Sequence, residues 1–389
     1  MRTGGDIWHL ITGEYPPETG GVGDYTARVA AGLARSGSEV HVWTSPAPGE
    51  TAGFPGVTVH REAGRWSRSD LSRLDARLDA FASPRRLLVQ YVPNVWNQKG
   101  MNIGFCQWLL RRRHRGDSVR VMFHEVRYHP IAGDRAIRWV LVAVQTWMAR
   151  VLLRAASQGY VSVPAWADLL RQISPRSTTP IAWSPIASNI EPIFDPEGVA
   201  RIRRRLAPEG GLIVGTFGTF GESTATVLAE FFPALLRSDP RCVGLMIGRG
   251  GDEFRRRLIA GDPSLNGRLV ATGGLDAPDV SRHLQACDLL VQADTGGLST
   301  KQSSTMSCLA HGRAIVSAAG RLTESVWTDH RCVALAESPS PTDLLRVARE
   351  VLADPARRAQ LGKSALTTYD HLFSTMRAIE LLTREHETP

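Results

Sequence analysis

Cysteine is sparse in this chain and shows no pairing pattern. The five cysteines (Cys106, Cys242, Cys287, Cys308 and Cys332) are an odd number with no two at C-x-x-C spacing. That argues against a disulfide framework or a thiolate zinc site and fits a reducing compartment. No run of about 18 uncharged apolar residues is present, so no membrane-spanning helix is expected. The opening segment, "MRTGGDIWHLITGEYP", has an apolar run too short for a secretory signal. H-E-x-x-H is absent and no Asp-x-Asp pair is placed to hold a metal, so the expected metal ligands are none. G-x-G-x-x-G is also absent, since residues 20–25 read G-G-V-G-D-Y, which disfavours a dinucleotide site. No helix-turn-helix, zinc-finger or RNP-like pattern accompanies the basic residues, so nucleic acid is not an expected partner.

What is present is a globular composition of 389 residues, 43% hydrophobic and 22% charged, long enough for two domains. Lys plus Arg is 46 against 38 Asp plus Glu, a net charge of +8. From Pro84 to Gly116 there are seven Lys or Arg and no acid, including "RRRHR" at 111–115. Such a stretch attracts phosphates or acidic headgroups, or it is only a solvated helix end where cations suit the dipole.

Short β-rich runs alternate with helical patterns. Strands are expected at 6–12, 39–44, 86–91, 118–123 and 159–163, with helices at 22–37, near 101–113 and near 134–155. The stretch 180–198 is rich in proline and serine and reads as an interdomain linker. The alternation then restarts, with strands at 212–220, 243–248, 268–274, 288–293 and 314–318 and helices at 223–237, 252–260, 278–286 and 304–311; the last 45 or so residues look helical. The expected fold class is α/β: two doubly wound Rossmann-like domains facing across a cleft, residues 1–182 and 183–366. In such domains ligands sit beyond the carboxyl ends of the strands.

The step "TGGVG" (19–23) joins the first strand to the first helix. Gly20, Gly21 and Gly23 permit positive φ and remove side chains, while the helix start offers unpaired N–H groups to an anion. A plain strand-to-helix turn rarely needs so many glycines.

At this point the residues support a resemblance. "PPETGGVGDYTARVAAGLARSGSEVHVWT" resembles the amino terminus of retaining, GT-B-fold glycosyltransferases of the family-4 type. "GRLVATGGLDAPDVSRHLQACDLLV" (267–291) and "LAHGRAIVSAAG" (309–320) are similar to that family's second-domain segments. The resemblance implies a GT-B fold, and a hexosyltransferase-type activity with retention of configuration and no metal. It further implies no cofactor beyond a nucleoside diphosphate sugar as co-substrate, and a carboxyl-terminal helix, about 367–389, packing back on the first domain. Gly20, Gly21, Val22 and Gly23 would contact the donor on domain closure, as would Gly274 and Leu275 of the second domain.

The chain departs from the family where an E-x7-E pair is usual: those positions are Ser299 and Ser307, in "TGGLSTKQSSTMSCLAHG". Thr219 stands about where a diphosphate-binding arginine is expected. A substitute is available in the residues themselves. Lys301 supplies a compact positive charge, and Ser303, Ser304 and Thr305 supply hydroxyls at a helix start whose N–H groups favour an anion. Arg249, in "GRGGDEF", ends a strand and adds a second cation. Simple helix capping would account for one of the Ser/Thr residues.

His124 and Glu125 follow a first-domain strand in "VMFHEVRYHP". The resemblance implies that His124 lies near the transferred sugar; Glu125 suits an acceptor hydroxyl or an acid/base role, and His129 is a weaker candidate. The loop "QYVPNVWNQKGMN" (90–102) suits acceptor binding, with Gln90, Asn94, Asn97 and Lys99 as candidates together with Tyr15. The apolar helix at 134–157, with its arginines and two tryptophans, is either buried or laid on a membrane.

The resulting expectation is a cytoplasmic glycosyltransferase, with peripheral contact at the inner face of an anionic membrane as an added possibility. The acceptor is a sugar, a lipid-linked glycan or a small molecule. Two alternatives stay open: a catalytically silent GT-B binding or scaffold protein, and a GT-B-fold nucleotide-sugar epimerase.

Overall fold

In the computed structural model, residues 6–18, 20–49, 53–96, 98–130 and 135–384 are described. The chain divides into two compact units. One is built from the residues up to Pro185 together with those from Ala378 onward, and the other from Ile186–Arg377.

The first unit holds a seven-stranded sheet in the order β3-β2-β1-β4-β5-β6-β7. Its strands are β1 (Ile7–Thr12), β2 (Glu39–Trp43), β3 (Val57–His60), β4 (Arg86–Tyr91), β5 (Ser118–Phe123), β6 (Gln158–Val161) and β7 (Ile181–Trp183), all paired in parallel. Central strands buried on both faces need uninterrupted apolar runs, which is why "IWHLIT" and "RLLVQY" stand out in the sequence. The helices are α1 (Gly21–Arg35), α2 (Arg68–Asp79), α3 (Ile103–His114), α4 (Ala136–Ala155) and α5 (Pro164–Ile173). Tyr25, Val29 and Leu33 recur at helical spacing and bury one face of α1. Gly37, with φ 90°, then turns the chain in the left-handed region after the helix. Trp66, Trp96, Phe105 and Trp108 form an aromatic core under α3, with Trp96 and Phe105 stacked at 4.0 Å.

The second unit holds a six-stranded sheet in the order β10-β9-β8-β11-β12-β13. The strands are β8 (Leu212–Phe217), β9 (Cys242–Ile247), β10 (Leu269–Ala271), β11 (Leu289–Val291), β12 (Ile315–Ala318) and β13 (Ala334–Ala336), again parallel. Helices α6 (Pro196–Leu206), α7 (Glu222–Ser238), α8 (Gly251–Gly261), α9 (Ala277–Ala286), α10 (Ser303–Ala310), α11 (Val326–Asp329), α12 (Pro341–Ala353), α13 (Pro355–Thr368) and α14 (Thr375–Thr383) complete the chain. The core joins Phe231, Phe232 and Leu235 of α7 to Leu289, Val316 and Ala348. The end of α14 belongs to the first unit, where Tyr160 and Arg120 donate to the carbonyls of Leu381 and Leu382.

Three readings of the sequence change here. The stretch 180–198 is not all linker, because it opens as β7 and ends as the first turn of α6. β3, α2 and β13 escape notice because they are short, partly exposed or mostly charged. The basic run before Gly116 is partly paired with acids from outside it, although Lys99, Arg111, Arg113 and Arg115 are exposed. Arg112 is fully buried, with its guanidinium on Asp75, Asp79 and Asp117, while Arg85 pairs with Asp79 and Asp117. The acids that balance the run lie on α2 and just after Gly116, so a window that stopped there missed them.

Candidate functional site

In the first unit the β1–α1 connection lies at the carboxyl edge of the sheet. The helix start is extended at Gly20, with φ −165°, and none of Gly20, Gly21 and Gly23 has positive φ. The glycines serve close approach instead. A Cβ on Gly20 would fall 2.3 Å from Glu14 Oε1, and one on Gly23 would fall 3.2 Å from the Tyr15 Cα. Glu14 Oε1 accepts hydrogen bonds from the amides of Val22 (3.0 Å) and Gly23 (2.9 Å). The anion on this helix start is therefore the chain's own carboxylate, a role the sequence reading did not give to Glu14. The residue's only signal was to be an acid beside the glycine-rich step.

The ends of β4 and β5 bring Gln90 and His124 together. His124 Nε2 lies 2.8 Å from Gln90 Oε1. Tyr25 of α1 meets the His124 ring edge-on at 5.1 Å, and the His124 carbonyl accepts from Ser162 and Trp166. Burial pushes the His124 imidazole down to about 3, so it is neutral, and in this contact its Nε2–H donates. Gln90 is fully buried, and its amide nitrogen has no hydrogen-bond partner in the structure. Glu125 is half-buried beside this pair.

Tyr15 is buried within the β1–α1 connection, and burial raises its phenol to about 12. Asn94 is exposed in the turn after β4, and Asn97 lies outside the described residues. Gln145 of α4 ties two of the loops together, accepting from the Tyr128 amide and donating to the Gly100 carbonyl. The ring of His129 faces Trp166 at 5.8 Å.

In the second unit the loops after β8, β9, β10 and β11 gather at one sheet edge. Gly248 and Gly250, both with positive φ, let the β9 loop press on the β8 loop. A Cβ on Gly250 would fall 2.9 Å from the Thr219 carbonyl oxygen. Thr219 is exposed, as is Arg249, whose stem lies over Gly274, 3.1 Å from where a Cβ there would be. Thr219, Arg249, Gly274 and the half-buried Leu275 therefore stand on adjoining loops.

Lys301 lies two residues before α10. That helix has Gln302 at its N-cap with no side-chain cap bond, so neither Ser303, Ser304 nor Thr305 serves as a cap. The three hydroxyls differ. Thr305 is buried and bonded to Gln302, and Ser304 turns to Gln292, whereas Ser303 is half-buried in the first turn. Ser299 is buried, and Ser307 is enclosed among Ser188, Asn189 and the Ser303 carbonyl.

An acid that the sequence reading passed over supports this loop. Glu324 accepts from the Thr300 amide (3.1 Å), the Thr300 hydroxyl (2.6 Å) and Trp327 Nε1 (2.8 Å). Burial raises its carboxyl above the usual range, and these hydrogen bonds oppose the rise. No spacing rule singled out the glutamate of "LTESVW". Among the described residues no three of His, Cys, Asp and Glu cluster to hold a metal.

Each unit thus sets polar or cationic side chains at the carboxyl edge of a parallel sheet, the place where doubly wound folds bind ligands. Residues 20–182 match the family described as glycosyl transferase 4-like domain. No curated protein sequence matches the chain. Solved structures resemble nearly all of it. Sucrose-phosphate synthase from Thermosynechococcus elongatus is 17% identical with a TM-score of 0.73, each chain covered to 97%. HepE of Anabaena, solved with UDP and glucose, is 14% identical with a TM-score of 0.69, over 97% of this chain and 98% of that one. WaaG, a glycosyltransferase involved in lipopolysaccharide biosynthesis, is 15% identical with a TM-score of 0.66, over 97% and 99%. The chain therefore has the GT-B fold of these solved structures, and within its first unit the match to a glycosyl transferase 4-like domain spans residues 20–182.

Proposed function

We propose that the protein transfers a sugar from a nucleoside diphosphate sugar, held by the second unit, to an acceptor hydroxyl held by the first. The observation that carries this reading is the start of α10. Its amides lack a side-chain cap, Ser303 stands in its first turn, and Lys301 precedes it. Helix N–H groups and a lysine suit a diphosphate, and the exposed Arg249 adds a cation from the β9 loop. Such groups stabilise charge as it develops on the departing diphosphate, so the reaction proposed is metal-independent and needs no cofactor. Glu324 would fix the loop that carries Lys301. HepE is solved with UDP-glucose, which makes a uridine nucleotide the first donor class to try. Retention of configuration is part of the proposal.

Neutral His124, whose Nε2–H is given to Gln90, leaves Nδ1 as an acceptor for a sugar hydroxyl without contributing charge. Glu125, Asn94 and Asn97 are the proposed acceptor contacts. The site of action proposed is cytoplasmic, at the inner face of an anionic membrane. α4 is long and apolar enough to cross a membrane by length and composition, yet only 39% of that stretch is buried in the fold. Its exposed Ile137, Trp139, Val140 and Trp147 suit the headgroup boundary.

The test is a thermal-shift screen with UDP, GDP, ADP and dTDP. One of them should raise the melting temperature, and Lys301→Ala should remove the rise; an unchanged rise takes Lys301 out of the site. One observation favours a binding protein without turnover: Ser299 and Ser307, where the family carries glutamates, are buried and uncharged. Binding without donor hydrolysis or transfer would select that reading.

A further inference from the structure

A groove of about 740 Å³ runs between α6, α9 and the outer edge of β10 in the second unit. Arg201, Arg204 and Arg205 of α6 and Arg282 of α9 line it, against a single acid, Asp279. Arg282 is already engaged, with Asp195 and Asp279 each at 2.6 Å. Among the described residues no ion pair joins the α6 arginines in the groove to an acid, although Arg201 lies in the field of Asp195. Their neighbour Arg203 faces elsewhere, pairing with Asp288 at 3.1 Å.

Arg201, Arg204 and Arg205 stand at i, i+3 and i+4, so their like charges repel on one helix face. An ordinary solvated helix spreads such charges or pairs them with acids. Here they are gathered over a concave surface whose far wall adds a fourth guanidinium from another helix. A cavity of this size suits a small molecule rather than a surface-to-surface contact. Guanidinium forks bind phosphoryl oxygens in pairs.

We propose that this groove binds a small molecule carrying two or more phosphoryl groups, at a site that adjoins the proposed donor site at Leu275 but includes neither Lys301 nor α10 and does not depend on them. His283 lines the groove. It contacts the Asp279 carbonyl through Nδ1 at 2.7 Å, leaving Nε2 as its second polar atom. Burial lowers its pKa, with Arg205 and Arg282 adding to the effect and Asp279 opposing it. A bound polyanion reverses part of that field and raises it. The groove also touches Leu275, one residue from Gly274 beneath Arg249. An occupant therefore bears on the loop that lies beneath the second-unit cation.

The experiment uses the full chain and inorganic tripolyphosphate as probe, with citrate as a non-phosphate anion. Binding is followed by calorimetry and by the imidazole resonances of His283, assigned with His283→Gln. Tripolyphosphate should shift the His283 signals and raise the pH at which they titrate; citrate should do so much less. Arg201→Ala with Arg205→Ala, both exposed, should weaken this binding by about tenfold or more while leaving the melting temperature within a few degrees. Lys301→Ala should leave the His283 response intact. The proposal fails if His283 does not respond, if citrate matches tripolyphosphate, or if the arginine variant binds equally well. It also fails if Lys301→Ala abolishes the response, since that would place the anion at α10.

Discussion

Glu14 Oε1 lies 2.9 Å from the amide nitrogen of Gly23 and so occupies a position suited to a ligand anion. A carboxylate on helix amides at this end also meets the positive end of the α1 dipole. Glu14→Ala should therefore cost about 1–3 kcal/mol of stability, read as a lower urea midpoint with an unchanged slope. Glu14→Gln, which keeps an acceptor but loses the charge, should fall between the two. Equal midpoints for all three proteins would show that the contact has no energetic weight.

The basic run offers a sharper contrast. Arg112 is fully buried and serves Asp75, Asp79 and Asp117, whereas Arg113, one position on, is exposed. Arg112→Ala takes from the buried Asp117 one of its two cations, leaving only Arg85, and empties a buried site, a loss of about 3 kcal/mol. Arg113→Ala should change stability by about 0.5 kcal/mol or less. Denaturant titration of the two variants checks this, and similar effects would mean that the charge of the run matters more than its pairing.

Acidity should weaken the fold before any carboxylate is lost. Burial holds His9 and His124 down to about 3 and His311 to about 4. Between those values and the ordinary 6.5, the unfolded chain binds protons that the folded chain refuses, so stability falls as pH falls. From pH 7 to pH 5 each such histidine costs about 2 kcal/mol. The raised carboxyl of Glu324 acts in the opposite direction, but it is one group against three. The urea midpoint should drop over this range, and His124→Asn should make the drop shallower. A midpoint that does not move would mean that these imidazoles are charged in the fold.

The α4 face is tested with lipid. Trp139 is 56% and Ile137 69% exposed. Vesicles containing anionic lipid should blue-shift the tryptophan emission and sediment the protein, and Ile137→Ser with Trp139→Ser should abolish both effects. Equal sedimentation of the variant would remove this face from any membrane contact.

Much of the alternation of strands and helices was legible because it depends on near neighbours. "RLLVQY" and "SVRVMF" are apolar enough to be buried on both faces wherever they lie, and Tyr25, Val29 and Leu33 mark a helical stripe without help from the rest of the chain. β3 and α2 were not legible, since a half-exposed edge strand and a charged surface helix carry little periodicity. The positions of Gln90, His124 and Arg249 at strand ends followed from the same local logic, because chain direction alone puts each at the carboxyl edge of its own parallel sheet.

Which groups these residues meet was decided by the tertiary structure. Glu14 on the α1 amides, Arg112 among three aspartates, Glu324 beneath Thr300 and arginines of two helices around one groove are all pairings across the fold. Sequence order ranks residues by distance along the chain, whereas electrostatics and hydrogen bonding act over a few ångströms of space. Only the packed backbone converts one measure into the other.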